Sequence, residues 1–244
     1  MPKKESNPQD KASMAQDWVE WFNRSAQAYD NPKMKMAYYT DGLTGTPVPD
    51  EVMTATYDDI LRKLNIQKDH SVLDAGCGSG LFYKHAHVTI KNLVGIDLST
   101  SLLKAAHTLN PDGTFINSAI FPLPFRNDQF DRVVSYSVFH YLPTFEQTKK
   151  AVKELVRVCK NNGIVFIGDL VDPTQSQPHF TPAKIKKHWW PKVLNHNLKK
   201  LRFDQKFFKD LAKQENLVAE ILPQNIPGRF LPDVRFDVRF KVKK

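Results

Sequence analysis

Residues 71–80 read Ser-Val-Leu-Asp-Ala-Gly-Cys-Gly-Ser-Gly, and no other stretch limits the possible folds as tightly. A short apolar run ends in the carboxylate of Asp74 and then breaks into glycines at 76, 78 and 80. The run predicts a strand buried on both faces, as in a parallel sheet. Glycines let the backbone turn sharply and come close to a ligand. The next residues, Leu81-Phe82-Tyr83-Lys84-His85-Ala86, can begin a helix whose first amides point back at that ligand. Such a strand–turn–helix unit suits a nucleotide-like molecule. A nicotinamide or flavin fingerprint would place a third glycine where Leu81 stands, and a phosphate loop would end in Gly-Lys-Ser/Thr, which is absent.

The rest of the chain repeats the alternation. Apolar runs at 93–96, 114–116, 132–135 and 164–167 predict further buried strands, with helical patterns at 81–88, 99–109 and 144–160 between them. The last helix carries a capping box, Thr144-x-x-Gln147, and a stop at Asn161-Asn162-Gly163. Two more strands are expected at 217–222 and 233–242, after a helix at 204–215. In the second, Val234, Phe236, Val238 and Phe240 alternate with Arg235, Asp237, Arg239 and Lys241, which predicts one wet face. Strands alternating with helices argue for an α/β, doubly wound, mostly parallel sheet. Upstream, an aromatic amphipathic helix over 11–29 places Trp18, Trp21 and Phe22 on one side. Another helix starts after Pro47 and Pro49.

The pattern D/E-x-G-x-G-x-G, filled by Asp74, Gly76, Gly78 and Gly80, resembles the first motif of the class I S-adenosylmethionine-dependent methyltransferases. The N-terminal Trp21-Phe22-Asn23-Arg24-Ser25-Ala26-Gln27-Ala28-Tyr29-Asp30 resembles F-D-x-x-A-x-x-Y-D. That pattern opens the small-molecule methyltransferases of the ubiquinone/menaquinone-biosynthesis type. The resemblance covers residues 18–170. It implies a Rossmann-like seven-stranded sheet with an antiparallel C-terminal hairpin and an N-terminal helical cap. Residues 1–45 would form the cap and 46–244 the methyltransferase domain, with a basic insertion at 173–203. The implied cofactor is S-adenosylmethionine, leaving as S-adenosylhomocysteine, with no metal expected.

The resemblance also distributes roles. Asp74, Ala75, Gly76, Cys77, Gly78 and Gly80 would cradle the cofactor. Asp97, 17 residues beyond Gly80 at the end of the second strand, would accept the ribose hydroxyl protons, with Leu98 on the adenine face. The bland alternative for Asp97 is a helix N-cap, which Ser99 could fill equally. The acidic residue the family often carries after the third strand is missing; Ser118 and Ala119 stand there, leaving adenine to backbone and van der Waals contacts. Ser135, Tyr136 and His140 would line the methionine part. Tyr29, and less directly Tyr38, would reach over the cofactor from the cap, although Tyr29 could equally be a core aromatic. Cys77 reads as a small packing residue.

A hydroxyl acceptor needs its proton removed. His140 is the candidate base, with Asp169, His179 and His188 behind it. The absence of an Asp/Asn-Pro-Pro-Tyr motif after the fourth strand counts against base methylation of nucleic acid. The expected acceptor is therefore a small molecule: a sugar, polyketide or other metabolite methylated at a hydroxyl. The net charge of +9 has a local origin, because ten Lys or Arg residues and only two acids lie between Thr181 and Lys213. That segment reads as a solvated helix face, a patch steering an anionic acceptor, or a nucleic-acid footprint with stacking aromatics. Two cysteines exclude a disulfide framework and fit no zinc site. No membrane-length apolar run or signal-peptide core is present, so a reduced, cytoplasmic setting is expected. Oligomeric state is open.

Overall fold

The computed structural model describes residues 16–24, 48–86, 90, 92–174, 201–229 and 234–244. Residues 16–24 are helical (α1). They are followed by α2 (Asp50–Leu64), β1 (Ser71–Ala75), α3 (Leu81–Ala86), β2 (Asn92–Asp97) and α4 (Thr100–Leu109). Next come β3 (Thr114–Asn117), β4 (Phe130–Tyr136), a 3-10 turn (Phe139–Tyr141), α5 (Phe145–Val158) and β5 (Cys159–Val171). The chain ends with α6 (Gln205–Gln214), β6 (Val218–Pro223) and β7 (Arg235–Lys241). Among the described residues the strands form one seven-stranded sheet, ordered β3-β2-β1-β4-β5-β7-β6. β1 to β5 are parallel, and β7 runs antiparallel to both of its neighbours. No helix among these residues is long and apolar enough to cross a membrane.

The sheet reverses its direction of growth between β1 and β4, and that is where the site lies. Residues leaving β1 move toward β2, while β4 returns on the other side, so a crevice opens beyond the two strand tips. Both flanks are covered, which explains the unbroken apolar runs: Val72, Leu73, Val133, Val165 and Ile167 are fully buried. One face packs against α5 and α6 through Leu155, Phe208 and Phe240, and the other packs on α2 and α3 through Ile60, Leu64 and Phe82.

Two expectations fail for physical reasons. The expected wet face of β7 is confined to its end: Lys241 is exposed, but Arg235 and Asp237 are buried and Arg239 partly so, because that part of the polar side lies under α2. There Lys63 Nζ donates to Asp237 Oδ2 at 2.6 Å, and Arg239 reaches the Lys63 carbonyl. An alternating strand can thus be polar on one side and still dry where charges find partners. The second failure concerns α5, which stops at Val158 instead of running to 160. Asn161-Asn162-Gly163 lies inside β5, with Asn162 at φ 62° marking an irregular start to the strand. The capping box is half made: the Thr144 hydroxyl accepts from the Gln147 amide at 3.1 Å, while Gln147 Oε1 has no hydrogen-bond partner among the described residues.

Candidate active site

The glycine turn after β1 is fixed from two sides. The Gly76 and Cys77 amides both donate to the Ile96 carbonyl, at 2.8 and 2.9 Å, pinning the turn to the end of β2. Gly76 sits at φ +87°, and a Cβ there would lie 2.3 Å from Val138 Cγ2. At Gly78, φ +54°, a Cβ would meet nothing within 4 Å, because that space belongs to the cavity. Backbone bare of side chain beside an open crevice is what close ligand approach requires. Cys77 packs inward, with Sγ only 2.8 Å from where a Cβ on Gly95 would stand, and burial pushes its thiol well above the usual range. It is a packing residue, as its place in the turn predicts.

Asp97 closes the second strand and organises the turn. Its Oδ2 accepts from the Gly78 amide at 2.9 Å and its Oδ1 from the Ser99 amide at 2.8 Å. The N-cap of α4 is Ser99, whose hydroxyl accepts from Leu102 at 3.2 Å, so the alternative role for Asp97 is already filled. Burial raises the Asp97 carboxyl, opposed by these backbone donors. Asp74 is 4 % exposed and, among the described residues, receives no hydrogen bond on its side chain; burial, with the charge of Asp97, pushes it to about 7. Two desolvated carboxylates thus form an acidic floor, which favours a cationic ligand. Leu98, beside them, is 46 % exposed.

A cavity of about 440 Å³ opens over this floor. Of the residues expected from sequence, it is lined by Asp74, Gly76, Cys77, Gly78, Asp97, Leu98, Ser118, Ala119 and Tyr136. Ala75, Gly80, Ser135 and His140 are not among its lining. Ala75 and Ser135 are fully buried in the sheet, with the Ser135 hydroxyl donating to the Ala75 carbonyl. Gly80 uses its carbonyl to hold Asn110. The His140 ring packs on Tyr141, a lining residue, at 4.1 Å between centroids. Tyr29, Tyr38, His179 and His188 lie outside the described residues, as does the basic segment up to residue 200. The roof is aromatic: Trp18 and Phe22 of α1 meet the Tyr141 ring at 4.7 and 5.1 Å, and Asn23 Oδ1 accepts from the Ser99 hydroxyl at 2.7 Å.

Asp169 does not suit the role of base. Burial alone would raise it, but the charges of Arg235, Arg229 and His140, helped by a hydrogen bond from Ser137, hold it far below the usual carboxylate range. Arg229, which lines the cavity, is the residue that sequence reasoning missed. Its one sequence signal was the turn pair Pro227-Gly228 just before it, with Gly228 at φ +78°.

The model of the family described as a methyltransferase domain matches residues 73–167, from β1 to β5. This chain carries a methyltransferase domain. An uncharacterized methyltransferase of Oceanobacillus iheyensis is 29% identical over 167 residues, 66% of this chain and 71% of that protein. A ubiquinone/menaquinone biosynthesis C-methyltransferase of Campylobacter jejuni is 26% identical over 157 residues, 61% of each chain. Among solved structures, the Haemonchus contortus phosphoethanolamine N-methyltransferase 1, in complex with phosphoethanolamine and S-adenosylhomocysteine, superposes with a TM-score of 0.70 at 14% identity. It covers 96% of this chain and 50% of that one. The fold is that of the class I S-adenosylmethionine-dependent methyltransferases, and the cradle at Gly78, the acidic floor and the apolar Leu98 fit the cationic, adenosine-bearing cofactor of that class.

Proposed function

We propose that this methyltransferase transfers its methyl group to a small-molecule acceptor, a hydroxyl of a sugar, polyketide or other metabolite. The observation that carries the reading is the cavity itself. About 440 Å³, roofed by Trp18, Phe22 and Tyr141 and lined by the glycine turn, it is of a size for small ligands. S-adenosylmethionine supplies a methyl group on a sulfonium, so the leaving group is activated before the protein acts. This chain's task is then to align donor and acceptor and keep water away. In the proposed arrangement Asp97 takes the ribose hydroxyls, Leu98 covers adenine, and Asp74 faces the ammonium of the methionine part. Tyr29 and Tyr38 would close over the cofactor from a cap formed by residues 1–45. Tyr136, its hydroxyl pushed well above its usual range by burial, stays protonated and can donate a hydrogen bond but not take a proton. His140 is the proposed base, its ring packed at 4.1 Å on the cavity-lining Tyr141.

The test is methyl-donor turnover against a panel of metabolites, read as mass gain. A product of 14 mass units above an offered small molecule is expected (one CH₂, roughly, by methyl-for-hydrogen exchange). Turnover confined to added RNA, with binding that weakens steeply with salt, would overturn the reading in favour of a nucleic-acid acceptor. The described part of the basic segment behaves as a solvated helix face: α6 buries Phe208, Leu211 and Ala212 and turns Lys206, Lys209 and Lys213 outward.

A further inference from the structure

We infer that Tyr136 donates its hydroxyl proton to a carbonyl oxygen on the acceptor, so that the molecule methylated bears an uncharged carbonyl group beside its hydroxyl. The inference rests on the methyl-transfer reading above and names the substrate class for the same cavity.

A buried relay decides which way the Tyr136 hydroxyl works. Its oxygen accepts from Gln224 Nε2 at 3.0 Å, and the same nitrogen donates to Asp237 Oδ1 at 3.1 Å. A carboxylate only accepts, so Asp237 holds Gln224 with the amide nitrogen forward; turned over, the amide oxygen would face that carboxylate. Lys63 Nζ, at 2.6 Å from Asp237 Oδ2, fixes the carboxylate, which titrates at about 6 and is ionised at neutral pH. Gln224 is fully buried, and its Oε1 has no hydrogen-bond partner among the described residues that would turn the amide. The neighbouring acids are already engaged. Asp237 Oδ1 also takes the Asp169 amide at 3.0 Å, and Asp169 Oδ1 takes Arg229 and Arg235. Among the described residues the Tyr136 hydroxyl therefore receives a hydrogen bond but has no acceptor for its own proton. The side chain is partly exposed and lines the cavity. Its ring lies against the bare backbone of Gly168, where a Cβ would approach Cδ2 to 2.5 Å.

Sheet register places that donor on the acceptor side. Asp74 pairs with Val134, so Tyr136, two residues on, shares the face of Asp74 and stands about 6.6 Å farther along. Asp97 lies on the other side of β1, at the tip of β2. A cofactor with its ribose at Asp97 and its ammonium at Asp74 runs from β2 to β1 and would direct its methyl group toward β4. An acceptor in that space would meet Tyr136. The ion pairs around it balance among the described residues, with Asp59, Asp169 and Asp237 against Lys63, Arg229 and Arg235. Burial keeps the hydroxyl protonated, so the donor itself is neutral. A neutral donor in balanced surroundings gives an anion nothing to offset its desolvation, whereas an uncharged oxygen sheds little water to reach it. Carbonyl oxygen is the strongest acceptor common among uncharged oxygen groups. The rings of Trp18, Phe22 and Tyr141 suit the apolar body that would carry it.

The test loads the protein with S-adenosylhomocysteine and titrates it with acetophenone carrying a ¹³C carbonyl, whose infrared band falls when the oxygen accepts a hydrogen bond. Wild type is expected to give a saturable bound band below that of acetophenone in hexane. In Tyr136→Phe the bound band should return to the hexane position and the affinity for acetophenone should fall about 3- to 10-fold, the scale of one neutral hydrogen bond, with S-adenosylhomocysteine affinity unchanged. No saturable band in the wild type, or the same band in Tyr136→Phe, overturns the inference. A folded Tyr136→Phe that loses S-adenosylhomocysteine also overturns it, since the hydroxyl would then serve the cofactor. Gln224→Glu is a nearly isosteric second variant that decides the matter even if Tyr136→Phe does not fold. Its carboxyl accepts where the amide donated, so Tyr136 turns its proton away from the cavity and the band should rise toward the hexane position; an unchanged band refutes the inference. A wild type that binds no S-adenosylhomocysteine would strike the methyl-transfer reading, and the same band on the cofactor-free protein would then decide the role of Tyr136.

Discussion

The amide of Gly78 donates to Asp97 Oδ2 at 2.9 Å, joining the turn after β1 to the tip of β2 across 19 residues of chain. A single carboxylate therefore shapes the backbone cradle and faces the cavity. Asp97→Ala should remove both functions. Affinity for S-adenosylhomocysteine should fall by at least about tenfold, the scale of losing hydrogen bonds to a charged group. Calorimetry checks this, and an affinity equal to wild type would remove Asp97 from the site.

Asp74 costs the ligand-free protein stability. Its carboxyl is raised to about 7 in the fold from an ordinary value of 3.8, so the native state prefers it protonated. The sign follows from linkage: the penalty is absent near pH 4, grows as pH rises toward 7 and levels off above it. Asp74→Asn should therefore be more stable than wild type at pH 8, on the order of a few kcal/mol, and equal to it near pH 4. It should also bind S-adenosylhomocysteine more weakly. Urea denaturation at the two pH values reads the difference, and a variant less stable at pH 8 would contradict the assignment.

Gly76 and Gly78 should answer differently to the same methyl group. At Gly76 the new carbon collides with Val138 at 2.3 Å, so Gly76→Ala should destabilise the fold by about 1–3 kcal/mol, as overpacking does. At Gly78 the space is open, so Gly78→Ala should cost only the strain of its positive φ, roughly 1 kcal/mol, while filling the cradle and weakening cofactor binding. Thermal unfolding paired with calorimetry separates the two, and identical behaviour would contradict the cradle.

Lys63 is nearly buried and ion-paired with both Asp59 and Asp237, at 2.6 Å each. Lys63→Met should leave the Asp237 carboxylate without its main partner, under α2, and cost about 3–5 kcal/mol. Burial already raises Asp237 to about 6 despite the attraction of Lys63, and losing that attraction raises it further, so the loss should shrink as pH falls toward 6 and the unpaired carboxyl takes up a proton. Denaturant midpoints measured across that range would expose a pH-independent loss, which would count against the pair.

The order of elements and the cofactor motif were legible because each depends on local chemistry. Apolar runs specify buried strands, glycines specify the turn, and the carboxylate ending the second strand meets that turn at the Gly78 amide. β7 was misread because periodicity reports which residues share a side, not what covers that side; α2 covers it, and Lys63 neutralises what alternation had assigned to water. The end of α5 was misread because Asn-Asn-Gly serves a strand irregularity as readily as a helix stop. Asp169 could not be judged from its neighbours in sequence, since the groups that disable it as a base arrive from residues 60 and 66 positions away.

The chain by itself determined a doubly wound sheet and a glycine turn set beside a strand-end carboxylate, since strand, turn and capping preferences act over a few residues. Only the tertiary structure decided which side chains enclose the remaining space. Arg229, Trp18, Phe22 and Tyr141 reach the cavity from segments far apart in the chain, and their charge and shape act together only where packing brings them within contact.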